Sequence, residues 1–324
     1  MREALFIKRN KERWQEIAAN NTRHPDDTAN DFIQLVEDLG YSKTFYPHSS
    51  ITQYLNTEAS KKYLGIYENQ RESSSRVRHF LKYTLPLTIG KHHRVLLICF
   101  CLFVLFVAIG FFSAAGDQTF VRQVFGDNYV DMTESNIQQG NPFGVYGFGN
   151  EILSFTYIFI NNMYVSLKEF AGGILLGIPT VYGLMANSIG VGAFEYLFYS
   201  HNLTGSSLLT ILIHGTLELS TFVISAASGL VLAKSWLFPG TIKRIDALKK
   251  GAKEGLIIAM SNFPMLFLAA FFEGFITRHT EMPTALKLLI IGCSLAIVIG
   301  YFIIYPIRLR KKEKRLATDG HEGR

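Results

Sequence analysis

The sequence predicts an all-α protein, a polytopic membrane helix bundle of about six spans preceded by a small cytosolic helical domain. Residues 1–94 are polar and mixed in charge, whereas long apolar runs recur from Val95 onward. A run of about 20 apolar residues is long enough to cross a bilayer as a helix. We therefore assign 1–94 to a cytosolic domain, 95–307 to a transmembrane bundle with an extracytoplasmic loop at 116–151, and 308–324 to a basic cytosolic tail.

Composition argues against several classes of protein. The formal net charge is +6, and the basic residues lie beside apolar runs instead of alternating with aromatic residues, so no nucleic-acid partner is expected. Cys99, Cys101 and Cys293 all fall inside apolar runs without CxxC spacing, which indicates buried thiols and neither a disulfide framework nor a zinc site. The first residues lack an apolar stretch, so no signal peptide is expected.

The N-terminal domain shows amphipathic helical patterns. One begins around Trp14, and a second is predicted to start at a cap formed by Asp27 or Thr28 and to end at Gly40 in a left-handed cap. Residues 49–67 carry apolar side chains at helical spacing. Residues 80–93, with a basic end, are interpreted as an interfacial approach to the membrane.

Six apolar segments follow this interfacial stretch. They are predicted at 95–115, 152–167, 170–199, 207–232, 254–277 and 285–307. A tight turn at Lys168 and Glu169 is expected to separate the second span from the third. The third span is rich in glycine, which suits close packing between helices and is compatible with a homodimer, and Pro179 is expected to kink it.

Charge asymmetry predicts the orientation. Basic stretches precede the first span, connect the fourth to the fifth and follow the sixth, whereas the loop from residue 116 is acidic. Because positive charge is retained on the cytoplasmic side, both termini are predicted to be cytoplasmic.

The fourth predicted span carries an ionisable pair in its interior. His214 and Glu218 are four residues apart and so share one helical face. A charged group at the centre of a span costs about 2.5–3.5 kcal/mol on insertion scales. The pair is therefore expected to have a partner, a cavity or a ligand.

Other polar residues occur at comparable depths. Given a helix rise of about 1.5 Å per residue, Glu195 and Glu273 lie toward the outer ends of their spans and four asparagines lie at middle or inner depths. The sequence predicts one intramembrane polar or ion site, toward the outer leaflet, formed by residues of four spans. Its predicted members are His214, Glu218, Glu273, Glu195, Asn161, Asn162, Asn187 and Asn262.

Three kinds of function could use this set. The first is permease- or channel-like handling of a small ion or proton by His214 and the carboxyl groups. The second is intramembrane hydrolysis with a metal ion held by His214, Glu218 and Glu273, although HGTLE is not the HExxH pattern. The third is a scaffold for partner proteins. A non-enzymatic role is favoured, and the sequence names no cofactor.

Four segments in a fixed order resemble a known family. These segments are HGTLEL at 214–219, the paired Asn161 and Asn162 before a glycine-rich stretch ending in GLMANS, LFPG at 237–240, and AAFFEGFIT at 269–277. With Trp14, DLG at 38–40, YLN at 54–56 and Tyr67 in the soluble part, the chain resembles the stage II sporulation protein M family of integral membrane proteins. It departs from the family pattern at Ile213, where proline is common, and at Ser188, where glycine is common.

The resemblance implies a multi-pass protein of the bacterial cytoplasmic membrane, with the lipid bilayer as its surroundings. The family's namesake belongs to the machinery that remodels peptidoglycan during engulfment. In that machinery, its role looks like that of a membrane anchor for a cell-wall hydrolase and its partner. The resemblance thus implies envelope proteins as partners. It supplies no catalytic residue, and its relatives extend beyond sporulation.

Overall fold

The computed structural model describes residues 2–19, 25–68, 75–117, 119–144, 150–277 and 282–312, and all the regular structure within these ranges is helical. This confirms the predicted all-α fold class. The chain divides into two compact units, Met1–Arg78 and His79–Arg324. The sequence placed this boundary at residue 94, but Leu85 and Ile89 belong to the core of the second unit.

The first unit contains three helices, α1 (Glu3–Ala19), α2 (Pro25–Phe45) and α3 (Ser50–Glu68). Trp14 lies in their shared core, where its indole N–H donates a 2.7 Å hydrogen bond to Oδ2 of Asp38. Arg13 forms an ion pair with the same carboxylate. A buried indole N–H requires such a partner, so Asp38 fixes α1 against α2.

Two predicted ends of α2 were wrong. The helix begins at Pro25, ahead of the predicted caps, and it continues through Gly40 to Phe45. Gly40 is absent from the described glycines with positive φ, so it is an ordinary helical residue. Leu39 and Ser42 are buried on either side of it, and the packing of this face outweighs the low helix propensity of glycine.

The second unit is a helix bundle. Helix α4 (Ser75–His79) ends at the boundary between the two units, and the second unit continues with a π-helical turn (Phe80–Thr84), α5 (Leu85–Lys91) and α6 (His93–Gly116). Two short helices follow, α7 (Thr119–Phe125) and α8 (Asp127–Gln138). The remaining helices are α9 (Glu151–Gly172), α10 (Ile178–Ser200), α11 (Thr204–Leu237), α12 (Arg244–Met260), α13 (Asn262–Phe271), a π-helical turn (Phe272–Thr277), and α14 (Thr284–Ile299) with a π-helical turn (Gly300–Ile304). Helix α11 is central, since it packs against α6, α9, α10, α12, α13 and α14.

Four segments of the described chain are long and apolar enough to cross a membrane. They are His93–Gly116, Thr204–Leu237, Arg244–Thr277 and Thr284–Lys312. Helices α9 and α10, which the sequence also assigned as spans, are not among them. Polar residues on these two helices, such as Asn162, Glu169 and Asn187, lower their hydropathy. The structure therefore supports a membrane helix bundle and leaves the count of six spans as a prediction.

The turn between α9 and α10 differs from the predicted one. Helix α9 runs through Lys168 and Glu169 to Gly172, and the chain reverses later, where Leu176 (φ 56°) and Gly177 (φ 79°) adopt left-handed conformations. Pro179 lies in the first turn of α10 and produces no kink in it. A proline at this position costs little, because the first N–H groups of a helix have no intrahelical partner.

The acidic segment after α6 is partly helical. Arg122 of α7 forms ion pairs with Asp131 (2.6 Å) and Glu134 (3.2 Å) of α8, and these pairs fix the two short helices together. Residues 145–149 of the predicted extracytoplasmic loop lie outside the described ranges. So do residues 313–324 of the predicted basic tail, whereas Arg308 to Lys312 are helical.

The second unit has apolar side chains outside and polar side chains inside. Leu97, Phe112, Leu153, Tyr157 and Ile178 are each more than 60% exposed on α6, α9 and α10. Conversely, several serines, threonines and asparagines are fully or nearly fully buried, among them Thr180, Ser188, Ser225, Ser228 and Asn262. This distribution is expected where the surrounding medium is hydrocarbon, because polar groups must then find partners within the protein.

Helices α6 and α10 approach each other at two glycines. A Cβ atom on Gly192 would lie 2.0 Å from the carbonyl oxygen of Val107, and one on Gly110 would lie 2.2 Å from that of Ile189. The two backbones are thus in direct contact, as small residues permit in membrane bundles.

We expect Gly192→Ala to separate α6 from α10 and to destabilise the bundle by about 1–3 kcal/mol, as overpacking does. The matched control is Gly190→Ala, two residues away on the same helix, where the nearest atom outside the helix would be 4.0 Å from the new Cβ. This control should be neutral, or stabilising by up to about 1 kcal/mol. Thermal unfolding in detergent measures both, and equal midpoints for the two variants would contradict the close approach.

Candidate intramembrane polar site

Three ionisable side chains meet inside the bundle. His214 and Glu218 lie one turn apart on α11, and Glu273 lies in the π-helical turn that follows α13. One ligand atom from each of the three side chains lies within 4.8 Å of the other two. His214 is 4% exposed, whereas Glu218 and Glu273 are partly exposed.

Carboxyl oxygens of Glu218 and Glu273 lie within 4.8 Å of each other. Two ionised carboxylates this close repel each other inside a protein, which favours a proton on one of them. The Glu218–Glu273 pair is therefore suited to hold a proton. Asn162 of α9 completes the pair by donating from Nδ2 to Oε1 of Glu218 over 2.6 Å.

One hydroxyl group connects His214 to the backbone of the π-helical turn. The oxygen of Thr277 lies 3.0 Å from Nδ1 of His214, and the same hydroxyl lies 3.1 Å from the carbonyl oxygen of Phe272. These contacts fix the orientation of the imidazole ring beside the two carboxyl groups.

A second cluster of polar side chains lies one turn beyond Asn162 along α9. Ser225 of α11 donates to Oγ of Ser166 over 2.8 Å, and Nδ2 of Asn262 donates to both hydroxyl oxygens at 2.7 and 3.0 Å. All three residues are at most 4% exposed. Oδ1 of Asn262 is buried and has no hydrogen-bond partner in the described part of the chain.

A third cluster of polar side chains contains Glu169. The sequence analysis did not include Glu169 in the site, because it assigned this residue to a turn. This residue is 3% exposed near the end of α9, and Nδ2 of Asn187 donates to its Oε1 over 3.1 Å. Its Oε2 has no partner among the described residues. The spacing of Asn162, Ser166 and Glu169 by four and three residues was the available signal, since it places them on one helical face.

The prediction of a single eight-residue cluster is corrected by these contacts. Asn187 contacts Glu169, Asn262 contacts two serines, and Glu195 accepts a 3.2 Å hydrogen bond from Ser207 near the beginning of α11. Asn161 is exposed on the outer surface of α9. Similar depth in the membrane did not bring these residues together, because depth does not specify which way a side chain points around its helix.

A partly open polar pocket of about 200 Å³ lies near the beginnings of α11 and α14. Thr210, Thr284 and Lys287 contribute polar groups to it, and Nζ of Lys287 donates to Oγ1 of Thr210 over 3.4 Å. Thr210 precedes His214 by one turn on the same face of α11. A separate apolar cavity of about 460 Å³, lined in part by Leu217 and Phe272, has no carboxyl group in its lining.

The cluster has donor types that divalent metal ions accept. One imidazole nitrogen and two carboxylates match the ligand set of several zinc and iron sites. Ligands of a tetrahedral zinc ion lie about 2.0–2.2 Å from the metal. Metal binding would replace a proton held by the two carboxyl groups.

Fold and site together define an integral membrane protein with a polar interior. The family described as Stage II sporulation protein M matches residues 99–278, which is more than half of the chain, and the protein belongs to this family. Residues 4–68 match a family described as Domain of unknown function (DUF8413). No curated protein and no solved structure matches the chain.

Replacing Asn162 by leucine should destabilise the bundle by about 1–3 kcal/mol, because Glu218 would lose a buried hydrogen-bond donor. The adjacent Asn161 provides a matched control. It is exposed, so Asn161→Leu should be neutral or stabilising in a lipid environment. Thermal unfolding in lipid nanodiscs compares the two. A larger loss for Asn161→Leu would contradict the assigned orientation of α9.

Proposed function

We propose that this protein is permease-like or channel-like and moves protons across the membrane through His214, Glu218 and Glu273. The observation that carries the proposal is the close approach of two carboxyl groups to each other and to a histidine within the bundle. Intramembrane acids and histidines are the groups from which proton relays are built.

The pocket near Thr210 favours a proton over a metal cation as the transported species. The ammonium group of Lys287 lines this pocket and repels cations that approach the cluster from this side. A proton does not need to diffuse past Lys287 as a free ion, because it can be passed along hydrogen bonds. Thr210 and His214, one turn apart, provide polar groups between the pocket and the carboxyl pair.

We further infer that both termini are cytoplasmic in a bacterial cytoplasmic membrane. Lys91 pairs with Glu254, and Arg310 donates to the carbonyl oxygen of Gly90. These contacts support a common location for the basic ends of α5, α12 and the segment that follows α14. The positive-inside rule then assigns this location to the cytoplasm.

A second candidate function is a scaffold for cell-envelope proteins. The acidic side chains of α8 favour it, since Asp127 and Asp131 are 76% and 63% exposed on a short helix that Arg122 fixes in place. A basic partner would bind such a surface. Crosslinking in cells followed by copurification tests this role, and the absence of any envelope protein among the crosslinked products would count against it.

In proteoliposomes with an imposed pH gradient, we expect Glu218→Gln to lower the proton flux roughly 100-fold, the scale on which a positioned acid–base group contributes. Glutamine preserves the shape of the side chain and can still bond to Asn162, but it cannot release a proton. His214→Ala should also lower the flux. A pH-sensitive dye inside the vesicles measures the rate.

Glu195→Gln is the control for this experiment, because Glu195 is an intramembrane glutamate outside the cluster and bonds to Ser207. It should retain the wild-type rate. Size-exclusion profiles establish that every variant is folded. Wild-type protein that conducts no faster than empty vesicles would refute the proton-transport proposal.

A further inference from the structure

Polar contacts continue from the carboxyl pair along one face of α9. Asn162, Ser166 and Glu169 succeed each other at intervals of one helical turn, and each contacts a polar side chain of another helix. We call this row, together with its partner residues, the polar seam. The partner residues are Glu218, Ser225, Asn262 and Asn187.

Two oxygen atoms of the polar seam have no partner within the described ranges. They are Oδ1 of Asn262, in its middle, and Oε2 of Glu169, at its far end. Buried polar atoms in folded proteins nearly always have a hydrogen-bond partner, either protein or ordered water. The two acceptors are therefore positions at which buried water molecules can donate hydrogen bonds.

Several neighbouring elements face Glu169. Thr180 and Asn187 face it from α10, and the hydroxyl of Thr180 donates to its backbone carbonyl over 2.7 Å. Gly183 of α10 lies against its side chain, Gly229 of α11 lies against its backbone, and the thiol of Cys99 on α6 is the titratable group near enough to act on it electrostatically. None of these described groups is a cation. An isolated buried carboxylate costs several kcal/mol, so the side chain requires a proton, a cation or solvent.

We propose that Glu169 is a second proton-carrying residue, which exchanges a proton with the Glu218–Glu273 pair through water molecules in the polar seam. This inference rests on the proposed function, and it adds a residue and a direction to it. The path leads from the cluster, past Asn262, toward the end of α9.

The proposed transfer moves one proton from the carboxyl pair to Glu169. One O–H bond of the carboxyl pair breaks, and its proton passes to a water molecule in the polar seam. That water, or the next in the row, gives up one of its own protons, and a new O–H bond forms at Oε2 of Glu169. Glu169 changes from ionised to neutral, and the carboxyl pair gains one negative charge. No oxidant, reductant or metal ion is needed.

Glu169→Gln distinguishes this role from a structural one. Glutamine has the shape of a protonated glutamic acid and can still accept from Asn187 at the same atom. A residue that only joins α9 to α10 would tolerate the change. A residue that carries a proton would not, and we expect the flux in proteoliposomes to fall roughly tenfold or more.

Infrared difference spectroscopy on the purified full chain provides a readout that does not depend on flux. We expect a C=O band from Glu169 to titrate with pH and to disappear in Glu169→Gln, while the band of the Glu218–Glu273 pair remains. In Glu218→Gln the band from Glu169 should persist with a shifted midpoint. Glu151→Gln is the control, since it removes an exposed carboxyl from the first turn of the same helix. The proton flux and the infrared titration of Glu151→Gln should match those of the wild type.

The outcomes separate the two proposals. If Glu218→Gln loses flux and Glu169→Gln retains it, proton transport is supported and the role of Glu169 is overturned. If wild-type protein conducts no protons, proton transport fails. The infrared titration then still decides about Glu169, because a spectrum without a titrating band that depends on Glu169 overturns its role as a proton carrier.

Discussion

The structure of the bundle depends on the cost of an unpaired polar group in hydrocarbon. Helix α11 carries His214, Glu218, Thr221, Ser225 and Ser228 within its span, and each would be expensive against lipid. The surrounding helices supply partners for this face, chiefly Asn162 and Ser166 from α9 and Asn262 from α13. Hydrogen bonding therefore helps to determine which faces of α9 and α13 pack against α11.

Glycine determines how closely these partners can approach. A Cβ on Gly229 would lie 2.5 Å from the carbonyl oxygen of Glu169 and 2.6 Å from the hydroxyl oxygen of Thr180. A Cβ on Gly173 would lie 2.2 Å from the carbonyl oxygen of Gly229. Since a larger residue at either position would separate α9 from α11, these glycines hold Glu169 inside the bundle. Backbone packing thus creates the burial on which the chemistry of the site depends.

Hydropathy and helical spacing were sufficient to predict part of this arrangement. They identified the all-α class, the membrane segments with the longest apolar runs, and the shared face of His214 and Glu218. They were wrong at Gly40 and at Lys168–Glu169, where local signals for a turn were outweighed by buried faces that continue along the helix. Local propensity differs by only about 1 kcal/mol between residues, whereas burial of a large apolar side chain contributes about 1.5–3 kcal/mol.

The sequence did not predict the direction in which each side chain points around its helix. Asn161 and Asn162 are adjacent in sequence and equal in hydropathy, yet one is exposed and the other bonds to Glu218. Asn262 and Glu273 are eleven residues apart, about three turns of a regular α-helix, yet Asn262 contacts the serines while Glu273 lies beside Glu218. The interruption at Ser261 and the π-helical turn from Phe272 change the rotation per residue at both ends of α13, so a constant period cannot be applied across them.

The distribution of satisfied and unsatisfied groups bears on whether the polar interior is structural or functional. A set of residues selected only to join helices would be expected to pair every donor with an acceptor, since each orphaned buried group costs about 1–3 kcal/mol. In the polar seam the donors are used: both N–H groups of Asn262 and the amides of Asn162 and Asn187 have acceptors. The two buried atoms of the seam that lack a partner among the described residues, Oδ1 of Asn262 and Oε2 of Glu169, are both acceptors, whereas the unpartnered donor Nδ2 of Asn136 lies on α8, outside the seam. An excess of acceptor sites along a buried row is what a path for protons requires, because each transferred proton needs an oxygen that is ready to receive it.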